Sequence, residues 1–117
     1  MHEMSIVEAL LVAVRQELSA HPGARVQTVR IRVGALRLVV PEMMQTCFAA
    51  ATRDTDLAGT SLEIESLPAI ARCADCRVEF PVEEDWFQCP HCQTTSAELL
   101  TGRELDLMSI ELVEPVG

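Results

Sequence analysis

A chain of 117 residues, 49% hydrophobic and 23% charged, has the size and composition of one ordinary folded domain, which excludes both a disordered segment and several full domains. Its net charge of −9, from 18 acidic residues against 9 basic ones that are all arginine, opposes nucleic acid and anionic membranes alike. Three Phe, one Trp and no Tyr leave no stacking platform for single-stranded nucleic acid.

The first element is predicted from Met4, Val7, Leu11, Val14 and Leu18, with Leu10 widening the stripe, which is helical spacing. Ser5 and Glu8 form an S-x-x-E pattern, so a capping box is expected there, with the first four residues as a short arm outside the helix. "AHPG" at 20–23 ends it. "RVQTVRIRVG" then alternates Val29, Ile31 and Val33 against Thr28, Arg30 and Arg32, the period of a half-buried strand, which Gly34 terminates. Pro41 suits the first turn of a second helix whose apolar stripe is Met44, Cys47, Phe48 and Ala51.

After the "DTDLAG" turn, Leu62 and Ile64 alternate with Glu63 and Glu65, and near the end Met108, Ile110 and Leu112 alternate with Ser109 and Glu111. Strand, helix, strand implies a right-handed crossover and a parallel pair, and the returning third strand most simply pairs antiparallel. The expected fold is therefore α+β: a small three-stranded mixed sheet with two helices on one face, carrying an inserted zinc-ribbon-like domain. Arg30 and Arg32 are expected to meet Glu63, Glu65 or Glu111 across the sheet, for register and solubility.

The insert is "CADCRVEFPVEEDWFQCPHC", with Cys73, Cys76, Cys89 and Cys92 as two C-x2-C pairs twelve residues apart. Each pair places two thiolates on one tight knuckle, and two knuckles complete the tetrahedral sulfur set that zinc prefers. No apolar run approaches the roughly 20 residues of a membrane span and the start lacks signal-peptide features, so a cytoplasmic location is expected, where paired cysteines hold metal more often than disulfides. Residues 70–98 are too few for a core of their own, and a structural metal supplies the missing folding free energy. Iron in a rubredoxin-like site is the chemical rival. Four protein ligands leave no open position, which, with no Ser, His and Asp arrangement, argues against an enzyme. Trp86 and Phe87 are expected to cover the hairpin, His91 and His21 to be surface residues, and Cys47 to be a small buried hydrophobe.

The start, "MHE", is a chelator. The Met1 amine, the His2 amide nitrogen and the His2 imidazole close a five- and a six-membered ring about one metal, and the Glu3 amide or carboxylate supplies a further donor. Deprotonated amides impose a square-planar field, which suits Ni(II) or Cu(II). A bulky second residue leaves the initiator Met in place.

Taken together, "MHEMS", "PEMMQTCFAAAT", "LEIESLP", the C-x2-C pairs with "CPHC", and "GRELDLMSIE" resemble the HypA/HybF family of hydrogenase maturation factors, from Met1 to Glu114. The resemblance implies a nickel metallochaperone with a discontinuous nickel-binding domain, 1–69 and 99–117, and a zinc-binding domain at 70–98. It implies delivery of Ni(II) to the large subunit of [NiFe]-hydrogenase with a GTPase partner, HypB. Carried over, the nickel site falls on His2 and Glu3 with the Met1 amine or adjacent backbone nitrogens, and the zinc site on Cys73, Cys76, Cys89 and Cys92. The alternative reading is a zinc-ribbon adaptor that binds a protein or nucleic acid, the latter disfavoured by charge.

Overall fold

The structure, a computed structural model, describes residues 2–82 and 88–115. Trp86 and Phe87, expected to cover the cysteine hairpin, lie outside these residues, as does Met1. In chain order the elements are α1 (His2–Leu18), β1 (Arg25–Gly34), a 3-10 turn (Ala35–Arg37), α2 (Pro41–Thr52), β2 (Ser61–Leu67), β3 (Ile70–Cys73), β4 (Glu79–Pro81), β5 (Ala97–Thr101) and β6 (Leu105–Val113). Two sheets result: a mixed one in the order β2-β1-β6, and one in the order β4-β3-β5. Contacts divide the chain into two compact units, one of residues 1–31, 39–64 and 107–117, the other of residues 32–38 and 65–106.

In the first unit α1 packs against α2. Val7 and Val14 of α1, Met44, Cys47 and Phe48 of α2, and Val26, Val29 and Ile31 of β1 are its buried apolar residues, as the periodicity predicts. Leu57 and Leu62 join them from the turn after α2 and from β2. Full burial of a side chain of this size contributes about 1.5–3 kcal/mol, so this set carries the unit's stability. Pro41 occupies the first turn of α2 and Val40, in extended backbone, is its N-cap with no side-chain cap.

Two expectations change. Ser5 is not an N-cap: α1 already begins at His2, and the Ser5 hydroxyl donates to the His2 carbonyl at 2.8 Å. Nothing in His-Glu-Met breaks a helix, and a serine inside a first turn can bond back to the main chain as readily as cap it. There is accordingly no four-residue arm among the described residues. The third strand forms where expected, yet none of Leu105–Val113 is buried, and Met108 is 45% exposed, because β6 is the edge of its sheet.

Across the polar face the expected ion pairs form. Arg30 donates to Glu63 at 2.9 Å and also to Glu111, so one guanidinium ties the central strand to both of its neighbours. Arg32 donates to Glu65 at 3.4 Å.

The second unit is built from the cysteine segment and its flanks. β3 pairs antiparallel with β4, placing Ala71 opposite Phe80, and antiparallel with β5, placing Cys73 opposite Ala97. Ala69, Ala71, Cys73, Phe80, Val82 and Cys89 form its apolar cluster, and Leu36 from the 3-10 turn packs against it. Here two glycines let the main chain touch itself. A Cβ on Gly34 would lie 2.2 Å from the Gly102 carbonyl carbon, and one on Gly102 would lie 2.8 Å from the Ala69 Cβ. The contact is hydrogen-bonded: the Gly34 N–H donates to the Glu104 carbonyl and the Leu36 N–H to the Gly102 carbonyl, both at 2.8 Å. The Glu104 carboxylate accepts the Gly102 N–H at 2.8 Å.

Candidate metal centre

β3 ends at Cys73, and the chain turns directly after it: the Arg77 N–H donates to the Cys73 carbonyl at 3.1 Å, with Arg77 in the left-handed region at φ 68°. This places Cys76 beside Cys73. The second knuckle repeats the arrangement, the Gln93 N–H donating to the Cys89 carbonyl at 2.9 Å with Gln93 at φ 66°. The C-x2-C spacing reads out as two equivalent turns.

Together the turns bring the Sγ atoms of Cys73, Cys76, Cys89 and Cys92 within 4.8 Å of one another, the one such cluster of potential metal ligands among the described residues. The Cys73–Cys92 and Cys76–Cys89 sulfurs are 3.4 and 3.5 Å apart, well beyond a disulfide bond of about 2.05 Å. Zinc holds thiolates at about 2.3 Å, and the edge of that tetrahedron is about 3.8 Å. The observed spread encloses that value. A tetrahedral four-thiolate site therefore fits a cluster of this size.

Backbone N–H groups are directed at the sulfurs. Cys76 N–H faces Cys73 Sγ at 3.5 Å, and the His91 and Cys92 N–H groups both face Cys89 Sγ at 3.4 Å. Hydrogen bonds to a sulfur favour its thiolate, the form that ligates metal. The Cys92 N–H outweighs the effect of burial and, with the His91 N–H, draws the Cys89 thiol down to about 6. The Cys76 N–H likewise lowers Cys73. Cys92 is the counterpart: the Thr94 N–H favours its thiolate, but a proton shared with Cys73 and loss of water push it up to about 12. Two thiols are lowered and their partners raised, as expected of four thiols sharing one small space.

Cys73 and Cys89 are buried in the apolar cluster, Cys76 is half-buried and Cys92 exposed. The site is thus seated on a core from one side and open to solvent at Cys92. His91 is exposed, and its contribution here is its main-chain N–H. Cys47 is buried on α2. His21 is only partly exposed, its Nδ1 3.8 Å from the Glu114 carboxylate, which the sequence alone did not suggest.

The other predicted site residues lie in the first turn of α1. The first N–H groups of any α-helix have no acceptor within it, so a nitrogen of His2 or Glu3 that ligates a metal breaks no bond of the ladder, although the Glu3 N–H already faces its own carboxylate. The His2 residue is exposed. Glu3 is not: it is 8% exposed and its Oε2 accepts the Val40 N–H at 3.3 Å. Its own N–H and then that of Val40 hold the carboxyl below its ordinary value. The only trace of this contact in the sequence is "VVPEMM", where a valine must serve as N-cap ahead of a proline and has no side chain able to cap.

Known proteins resemble this chain along its length. A family model described as "HypA: Hydrogenase/urease nickel incorporation, metallochaperone, hypA" matches residues 1–112. The hydrogenase maturation factor HypA of Desulfosudis oleivorans is 43% identical over 115 residues, 97% of this chain and 100% of that protein. That of Geotalea uraniireducens is 38% identical over 112 residues, 96% and 99% respectively. In fold, the chain resembles the solution structure of the Ni metallochaperone HypA from Helicobacter pylori, with a TM-score of 0.66 at 20% identity over 98% of this chain and 100% of that one.

Proposed function

The chain belongs to the HypA family of hydrogenase/urease nickel-incorporation metallochaperones, which are maturation factors and not enzymes, and from that premise we propose that it carries Ni(II) at its amino terminus and surrenders it to the large subunit of [NiFe]-hydrogenase. The GTPase HypB is its partner in that transfer, and the cytoplasm its place of action; among the described residues no helix is long and apolar enough to cross a membrane. The nickel donors are the Met1 amine, the His2 imidazole and the main-chain nitrogens of His2 and Glu3. The observation that supports this reading is the start of α1 at His2, which sets an exposed histidine in the first turn, where the N–H groups have no acceptor within the helix.

Zinc, in this reading, is held by Cys73, Cys76, Cys89 and Cys92 and stays. A closed set of four thiolates has no position for exchange, whereas a terminal site can release its metal without unfolding a core. Labour divides accordingly between a nickel-binding domain, 1–69 with 99–117, and a zinc-binding domain, 70–98.

Titration of Ni(II) into the zinc-loaded protein, followed by the d–d absorption of a planar complex, tests the reading. One equivalent should bind to the wild type and none to His2→Ala at the same concentrations. Equal binding by both proteins would remove the terminal site.

A further inference from the structure

The third residue of a chain is ordinarily solvated, yet Glu3 is buried and engaged by the N-cap of a second helix. We infer that the Glu3 side chain is a positioning residue for the terminal nickel site: it latches the first turn of α1 onto the start of α2 through the Val40 N–H and gives the metal no oxygen. The inference rests on the nickel reading above and specifies what Glu3 does within it.

Three observations converge. Val40 has no side chain with which to cap α2, and the residue after it is a proline that lacks an N–H; Glu42 brings one negative charge to the first turn of α2, as a helix start favours, and the N–H of the N-cap itself takes a carboxylate from elsewhere. Glu3 supplies it from the first turn of α1, where an acidic group is favoured for the same reason. Its carboxylate accepts the Val40 N–H at 3.3 Å, a bond that persists when the Glu3 nitrogen gives up its own N–H to ligate, and turning the carboxylate toward a metal would strip Val40 of its partner.

A planar nitrogen site gains from such a latch. Its donors sit on consecutive residues at the end of a chain, and binding must otherwise meet the cost of ordering them. With the side chain of Glu3 fixed to α2, the main-chain nitrogens of His2 and Glu3 are held in place before the metal arrives. Nitrogen and imidazole ligation without a carboxylate oxygen also keeps the donor set uniform, in keeping with square-planar Ni(II).

The test uses the full zinc-loaded chain with four substitutions, reading the d–d band, the nickel affinity, the rate of nickel loss to EDTA, and folding by circular dichroism and zinc content. His2→Ala establishes whether a terminal site exists. Glu3→Ala removes the acceptor; Val40→Pro removes the donor, at a φ of −91° close to the range of proline; Glu3→Gln removes the charge and keeps an acceptor oxygen. The latch predicts one unshifted planar band in every protein but His2→Ala. It predicts about tenfold weaker nickel with faster loss in Glu3→Ala and Val40→Pro, and Glu3→Gln within about twofold of wild type. If Glu3→Gln is as weak as Glu3→Ala while Val40→Pro matches wild type, the carboxylate is a ligand and the latch is refuted. A band displaced in Glu3→Ala refutes it as well. Should Glu3→Ala fail to fold, Glu3→Gln and Val40→Pro still decide, since the two hypotheses order them oppositely. Nickel binding that ignores His2 brings down the terminal site itself, a failure distinct from these.

Discussion

The four cysteines do unequal work as residues. All four receive N–H groups, but these prevail only at the buried Cys89 and Cys73, while the exposed Cys92 is raised by its sulfur neighbours despite the Thr94 N–H. Metal loading must displace protons from Cys92, held up at about 12, and from Cys76, which is also raised: the Val78 N–H favours its thiolate, but burial and protons shared with Cys89 and Cys73 prevail. Protons and zinc compete for these sulfurs, so apparent zinc affinity should rise with pH; competition against a chelator should show weaker retention at pH 6 than at pH 8, and pH-independent retention would contradict the assignment. The clustering of the four sulfurs was legible, since C-x2-C spacing encodes its own turn. Glu3 was legible only as a possible donor. Its contact with Val40 spans 37 residues of chain, and no local pattern carries that information.

Among the elements, helix existence followed from periodicity but the start of α1 did not, because Ser5 can satisfy itself by capping or by bonding back, and only the fold selects between them. The two roles differ measurably. Loss of an N-cap serine costs about 1 kcal/mol, whereas Ser5→Ala here should change unfolding free energy by less than about 0.5 kcal/mol, because alanine is the better helix former. Denaturant unfolding of that variant separates the alternatives. β3 and β5 were missed for a different reason: "IARC" and "AELLT" are too short to show a period, and their pairing depends on the cysteine turns that bring them together. The end of β1 is more exacting than any of these. Gly34→Ala would push a methyl into the Gly102 backbone, which has no flexible tip to yield, and should destabilise the second unit by about 3 kcal/mol, read as a lower midpoint in urea with unchanged slope.

For the whole molecule, the division into two units predicts divided stability. Removing zinc should melt residues 65–106, whose apolar cluster includes Cys73 and Cys89, while the α1 and α2 helical signal persists. Hydrogen exchange resolves this: amides of β3 and β5 should lose protection on chelation and those of α2 should keep it, and a single joint transition would contradict it. The discontinuity of both units was only partly readable from sequence. Residues 32–38 read as the end of a strand and a loop, and nothing in their pattern says that Leu36 packs on the cysteine cluster. Net charge, by contrast, is a whole-chain property and needed no structure to argue against nucleic acid.

The contact between Gly34 and Gly102 also governs how the chain can be recombined. It joins two positions far apart in sequence by close main-chain approach, a clasp that has the Glu104 carboxylate on the Gly102 N–H beside it. A chimera that imports only 70–98 from a relative leaves both glycines with the host and keeps the clasp. One cut at 65 and 106 brings a foreign residue 102 against the host Gly34, and succeeds only where the donor also has glycine there. Crossover points for domain exchange are therefore set by two residues without side chains, not by the cysteines that mark the domain.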